Sequence, residues 1–162
     1  MKNLFALSIL AASVALSACS KKPEETTPAT GAATTTASAS GSTIIKIGHA
    51  APLTGPQAHL GKDNENGVRL AVDELNAKGL TIGGQKVQFE LESEDDQADP
   101  RIATTVAQKF VDDKVNVMIG HLNSGTTIPA SRIYNDAGIV EVSPSATNPK
   151  YTQQGYKGAF RV

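Results

Sequence analysis

An α/β fold built on a doubly wound parallel sheet is predicted by three features of residues 43–162. Short apolar runs alternate with apolar stripes at helical spacing, the helical stretches carry their own start and stop residues, and hydroxyl-rich loops follow the strand-like runs.

Residues 44–51, Ile-Ile-Lys-Ile-Gly-His-Ala-Ala, read as the first strand. Val68, Ala71, Val72 and Leu75 then recur at i, i+3, i+4 and i+7, the stripe a helix lays on a sheet, and Gly79 stands just past its end. Gly83-Gly84 marks a turn. Beyond it Val87, Phe89 and Leu91 alternate with Gln88, Glu90 and Glu92, the pattern of a strand with one wetter face. Asp99 and Pro100 open a second helix as N-cap and first helical residue, and Ala103, Val106, Ala107, Phe110 and Val111 form its stripe. Residues 115–119 are a third strand, closed by Gly120. Ala130, Ile133, Tyr134 and Ala137 carry the helix after Ser124, Gly138 stops it, and residues 139–142 form the next strand. This last unit is βαβ, so Ser124 and the loop Ser143-Pro-Ser-Ala-Thr147 fall at the carboxyl edge of neighbouring parallel strands, where open α/β sheets bind ligands.

The ends and the composition narrow the function. Residues 4–16 are an apolar stretch behind Met1-Lys-Asn, too short to span a bilayer and of the kind that directs export. Leu16-Ser-Ala-Cys19 resembles a bacterial lipobox, which makes Cys19, the single cysteine of the 162 residues, the expected lipidation site. That divides the chain into a lipoprotein signal peptide with lipobox at 1–19, a disordered linker at 20–42 rich in Ser, Thr, Ala, Pro and Gly, and a folded domain at 43–162. A flexible linker of that length spans on the order of 25 Å. With 15 Lys and Arg against 16 Asp and Glu, scattered along the chain, no basic patch forms and nucleic-acid binding is not expected.

The motifs that invite catalysis or metal binding fail on spacing. Gly55 to Gly61 followed by Lys62 has five residues between the glycines instead of four, and Asp63 stands where a phosphate loop needs Ser or Thr. Ser124 lacks the nucleophile-elbow context, because Leu122 occupies the first glycine position. His49, His59 and His121 share no metal-ligand spacing and read as surface or loop residues; Asp95, Asp96 and Asp99 read as helix capping and solvated acids. No enzyme activity, metal or cofactor is expected.

Several motifs occur in order: Ile-Ile-Lys-Ile-Gly-His at 44–49, Pro-Leu-Thr-Gly-Pro at 52–56, Asn-Ala-Lys-Gly at 76–79, Asp-Asp-Gln-Ala-Asp-Pro at 95–100, Gly-His-Leu-Asn-Ser at 120–124 and Phe-Arg-Val at 160–162. Together they resemble the N-terminal lobe of the periplasmic leucine/isoleucine/valine-binding proteins, the substrate-binding components of branched-chain amino-acid ABC transporters. The resemblance implies a two-lobed periplasmic-binding fold, of which this sequence holds the first lobe and not the second. It implies a small amino-acid ligand (leucine, isoleucine or valine), an ABC permease in the inner membrane as partner, and periplasmic or cell-surface location with the lipid anchor at Cys19.

It also assigns ligand contacts to Leu60, Leu122, Ser124, Ser145, Ala146 and Thr147. Ser124 would give its hydroxyl to the ligand carboxylate. The Ser145 carbonyl and Thr147 hydroxyl would meet the ammonium, and the Thr147 N–H would face the carboxylate. Leu60 stands where the family often has an aromatic ring, which opens the alternatives of an amide, urea or another small ligand; a ligand-sensing ectodomain is a further alternative. Some members join by a disulfide the positions that are Ala98 and Asn123 here, and both cysteines are absent together.

Overall fold

The computed structural model describes residues 41–162; the signal segment, Cys19 and nearly all of the linker lie outside them. Six strands form one sheet: β1 (Thr43–Ala51), β2 (Thr81–Ile82), β3 (Gln85–Asp95), β4 (Val117–Gly120), β5 (Val140–Ser143) and β6 (Ala159–Arg161), in the order β2-β3-β1-β4-β5-β6. Every pair is parallel except β2 with β3, which form a short hairpin across Gly83-Gly84. Three helices connect the parallel strands: α1 (Ala58–Lys78), α2 (Pro100–Asp112) and α3 (Ser124–Ala137). From β1 the chain moves to β3 on one side and then returns to β4 on the other, so the connections diverge between β1 and β4. Such a switch point leaves a crevice at the carboxyl edge.

The alternation of side chains along β1 decides which helix lies on which face. Gly48 looks toward Phe110 of α2 and Met118 of β4, whereas Ile47 lines a groove with Val68, Ala71, Val72 and Leu75 of α1. The α2–α3 face holds the main core: Ala50, Val106, Ala107, Phe110, Val115, Met118, Ala130, Tyr134 and Ile139. The α1 face is less complete. Of the predicted stripe only Val72 is buried, and a groove of about 590 Å³ remains beside it, because α1 packs on β1 and β3 and leaves β4, β5 and β6 without a helix on that side among the described residues. By register Val140 and Phe160 share this face with Ile119, and they are 40% and 51% exposed.

Local rules account for the boundaries. Asp99 caps α2 by accepting from the Arg101 N–H, with Pro100 behind it, and α1 and α3 end on Gly79 and Gly138 in left-handed conformation. Asn76 of α1 bonds both main-chain groups of Phe89, donating to its carbonyl (2.9 Å) and accepting from its N–H (2.8 Å), which closes the outer edge of β3 where the two-residue β2 has ended. The segment between Gly55 and Gly61 is largely helical, since α1 begins at Ala58 and takes Leu60 into its first turn.

Two glycines of α1 give opposite expectations. A Cβ on Gly61 would stand 2.0 Å from the Pro52 carbonyl oxygen, while one on Gly67 would meet nothing within 4 Å. Gly61→Ala should therefore cost about 1–3 kcal/mol of stability, and Gly67→Ala should add about 0.5–1 kcal/mol. Urea unfolding of the two variants checks the pair; equal effects would contradict the close approach of Pro52.

Candidate functional site

The carboxyl edge is assembled from four segments: residues 52–57 after β1, 96–99 after β3, 121–123 after β4 and 144–148 after β5. Two adjacent carboxylates tie the first three together. Asp95 accepts from the N–H groups of Leu53 (2.8 Å) and Gln97 (2.9 Å) and from the Thr54 hydroxyl; these bonds outweigh the effect of its burial and hold its pKa below the usual carboxylate value. Asp96 points the other way and is fully buried. It accepts from the Ala98 N–H (2.9 Å) and from the His121 ring at Nδ1 (2.7 Å). Gln97 and Ala98 sit at φ of 51° and 56°, a conformation that these two side-chain-to-backbone bonds support.

His121 is the hub of the edge. Its ring is inaccessible, Nδ1 against Asp96 and Nε2 3.1 Å from the Tyr134 hydroxyl. A carboxylate only accepts, so Nδ1 carries the hydrogen and, in the neutral ring, Nε2 accepts the Tyr134 O–H. The carbonyl of the same residue accepts from Thr127 of α3 (3.2 Å) and Ser143 of β5 (2.8 Å). This corrects the expectation that His49 is a surface or loop residue and that Asp96 is a solvated acid; His121 does lie in a loop, but a buried one. His49 is equally buried, its Nδ1 2.8 Å from the Ile119 carbonyl, and burial lowers its pKa. Each imidazole lies at the end of a parallel strand covered by a helix, where only a polar group bonded to the neighbouring strand or loop is tolerated. His59, by contrast, is exposed.

Leu122, Ser124, Ser145, Ala146 and Thr147 are brought together. Ser145 donates its hydroxyl to the Leu122 carbonyl (3.0 Å), and the Ser124 hydroxyl oxygen accepts from the Asn148 N–H (3.1 Å). Ser124 is the first residue of α3 and not its cap; Asn123 holds that position without a side-chain cap bond and donates instead to the Gln57 side chain (2.8 Å). The N–H groups of Ser124 and Gly125 head the helix, out of reach of any intrahelical carbonyl. The Ser124 hydroxyl, fixed as acceptor, keeps its own hydrogen for a further partner.

On the β5 side the roles divide. Ala146 is buried against Tyr151 and Ala159, its N–H is taken by Ser143 (3.0 Å) and its carbonyl accepts from Arg161 (3.4 Å), so it anchors the loop and presents no free polar group. Arg161 also donates to the Thr147 carbonyl (2.7 Å). Among the described residues no donor reaches the Ser145 carbonyl, and the Thr147 N–H and hydroxyl are unbonded. Leu60 stands apart from this cluster, 46% exposed on α1; Gln57, one turn earlier, is the residue of that segment that bonds the edge.

The residues to which the sequence assigned no part in the site are thus those behind the rim: Asp96, His121, Ser143, Arg161 and Gln57. Among them only the Asp and His residue types could have drawn notice, and nothing in their spacing pairs them.

Beneath the edge Glu141 is buried, and neither carboxyl oxygen has a hydrogen-bond partner; the Tyr151 hydroxyl donates to the Glu141 main-chain carbonyl instead (3.2 Å). Burial raises the Glu141 pKa from 4.5 to about 8. The folded protein therefore keeps a proton that the unfolded chain has released. The associated stability is complete below pH 4.5 and is lost as pH rises through 8, with a slope of about 1.4 kcal/mol per pH unit between. Glu141→Gln should flatten the stability profile by that slope between the two pH values, as measured by chemical unfolding; parallel profiles would show that Glu141 ionises freely in the folded state.

Comparison with known proteins gives the family of the chain. Residues 44–162 match the family model described as periplasmic binding protein. The chain is 44% identical over 118 residues to Leu/Ile/Val-binding protein homolog 1 of Brucella abortus and, over the same length, to the leucine-specific-binding protein of Salmonella typhimurium, each match covering 73% of this chain and 31% of the relative. Among solved structures, a branched-chain amino acid transporter substrate binding protein of Streptococcus pneumoniae in complex with isoleucine superposes with a TM-score of 0.66 at 34% identity, covering 73% of this chain and 33% of that one. The chain thus spans about a third of the length of these relatives.

Proposed function

Because the chain belongs to the periplasmic binding protein family, we propose that the protein is an extracytoplasmic substrate-binding lipoprotein that captures leucine, isoleucine, valine or a similar small amino acid and hands it to an ABC permease of the inner membrane. The observation that carries this reading is the presence of both polarities at one edge. The head of α3 and the Ser124 hydroxyl hydrogen suit a carboxylate, while the unbonded Ser145 carbonyl and Thr147 hydroxyl suit an ammonium a short distance away. That is the polar pattern of an α-amino acid. Leu122 is the apolar residue of the cluster offered to its side chain, with Leu60, exposed on the first turn of α1, a further candidate.

Capture proceeds without chemistry on the ligand. Ser124 has no base, since its oxygen accepts from Asn148 and the neighbouring imidazole of His121 is buried between Asp96 and Tyr134. The ligand meets this edge first, and a facing lobe closes over it and supplies an acidic partner for the ammonium, burying the side chain in an apolar cleft. The closed form is what the permease recognises. Cys19, once acylated, holds the protein at a membrane, with the segment 20–42 as tether.

Two measurements test this reading. Calorimetric titration of the full-length protein should show leucine binding that Thr147→Val weakens by about 1–3 kcal/mol, because a polar group of the ligand loses its partner; unchanged affinity removes Thr147 from the site. Cys19→Ser should move the protein from the membrane to the soluble fraction, and membrane association that survives the substitution contradicts the anchor.

A further inference from the structure

We propose that Ser143 is a positioning residue for the ligand, one that fixes the spacing between the carboxylate end and the ammonium end of the site; the inference rests on the amino-acid reading above. Ser143 is the last residue of β5 and fully buried, so it touches no ligand itself. Its hydroxyl donates to the His121 carbonyl (2.8 Å) and accepts from the Ala146 N–H (3.0 Å). A single oxygen thereby joins the main chain of the loop after β4 to the main chain of the loop after β5.

The other bonds between these loops lie at the rim. Ser145 to Leu122 and Asn148 to Ser124 involve half-buried or exposed residues, where water can substitute for either partner. At Ser143 no water has access, and a lost hydroxyl leaves a buried N–H without an acceptor. The β4 side of the junction is itself held at several points: Thr127 also donates to the His121 carbonyl, and Asp96 and Tyr134 bond the ring. Ser143 therefore transmits a fixed position from the segment after β3 and from α3, through His121, to the turn that presents the Ser145 carbonyl and the Thr147 hydroxyl. Without it that turn is free to shift relative to Ser124. A ligand that bonds both loops is penalised by the shift, and a ligand lacking one of its two charged groups is affected less.

The test compares wild type, Ser143→Ala and Ser143→Thr in the full-length protein, titrated with leucine and, by competition, with leucinamide, which keeps the ammonium but has no carboxylate. Ser143→Ala should weaken leucine by about tenfold while lowering the preference for leucine over leucinamide, and Ser143→Thr, which restores the hydroxyl, should recover most of both. Unchanged leucine affinity in Ser143→Ala, or an equal loss for the two ligands with the preference intact, overturns the positioning role and leaves the amino-acid reading standing. Failure of the wild-type protein to bind leucine, isoleucine or valine at all overturns the amino-acid reading, and this inference with it.

Discussion

The carboxyl edge of this sheet depends on one buried side chain. His121 follows the last residue of β4, and its ring and carbonyl together bond the segment after β3, two positions on α3 and the end of β5. Loops are ordinarily the mobile parts of an α/β fold. Here the segments at the edge are fixed from behind by bonds that solvent does not reach, and the rim can present unbonded groups because its anchors lie elsewhere. A buried polar group is costly unless it is hydrogen-bonded, and Asp96 and Tyr134 supply partners for both nitrogens of His121 from different elements. The same contacts that satisfy the ring therefore define the relative placement of β3, β4 and α3.

Sheet geometry makes this arrangement possible. Gly48 and Gly120 lie on the face packed by α2 and α3, and a Cβ on Gly120 would meet the Ala50 carbonyl oxygen at 2.4 Å. With φ at 140°, Gly120 also turns the chain in a way that other residues resist, directing His121 inward and Leu122 toward the rim. The other face is covered only in part, by α1 on β1 and β3. The apolar residues of β5 and β6 on that side, Val140 and Phe160, remain accessible among the described residues.

Much of the fold was legible in the sequence because its signals are local. The period-2 pattern of Val87, Phe89 and Leu91, the Asp99-Pro100 start of α2 and the Gly79 and Gly138 stops each depend on a few adjacent residues, and each marks a feature of the structure. The two-residue β2, the short β6 and the early start of α1 were not legible, since each is set by pairing or packing with distant segments. The site divides in the same way. Ser124, Ser145 and Thr147 could be placed at the edge once the βαβ order was read. Ala146 lies in the same loop, but its anchoring part depends on Ser143 and Arg161. The pairing of Asp96 with His121 across 25 residues has no local pattern, so the burial of the two was not legible.

The central claim is that the protein sets this edge before any ligand arrives, and amide hydrogen exchange on the ligand-free, full-length protein tests it most directly. The Ala146 amide, buried and bonded to the Ser143 hydroxyl, should be protected, while the Ser124 and Gly125 amides exchange freely until leucine is added. Unprotected exchange at Ala146 without ligand would show that the loops take their places only on binding, and would contradict the account.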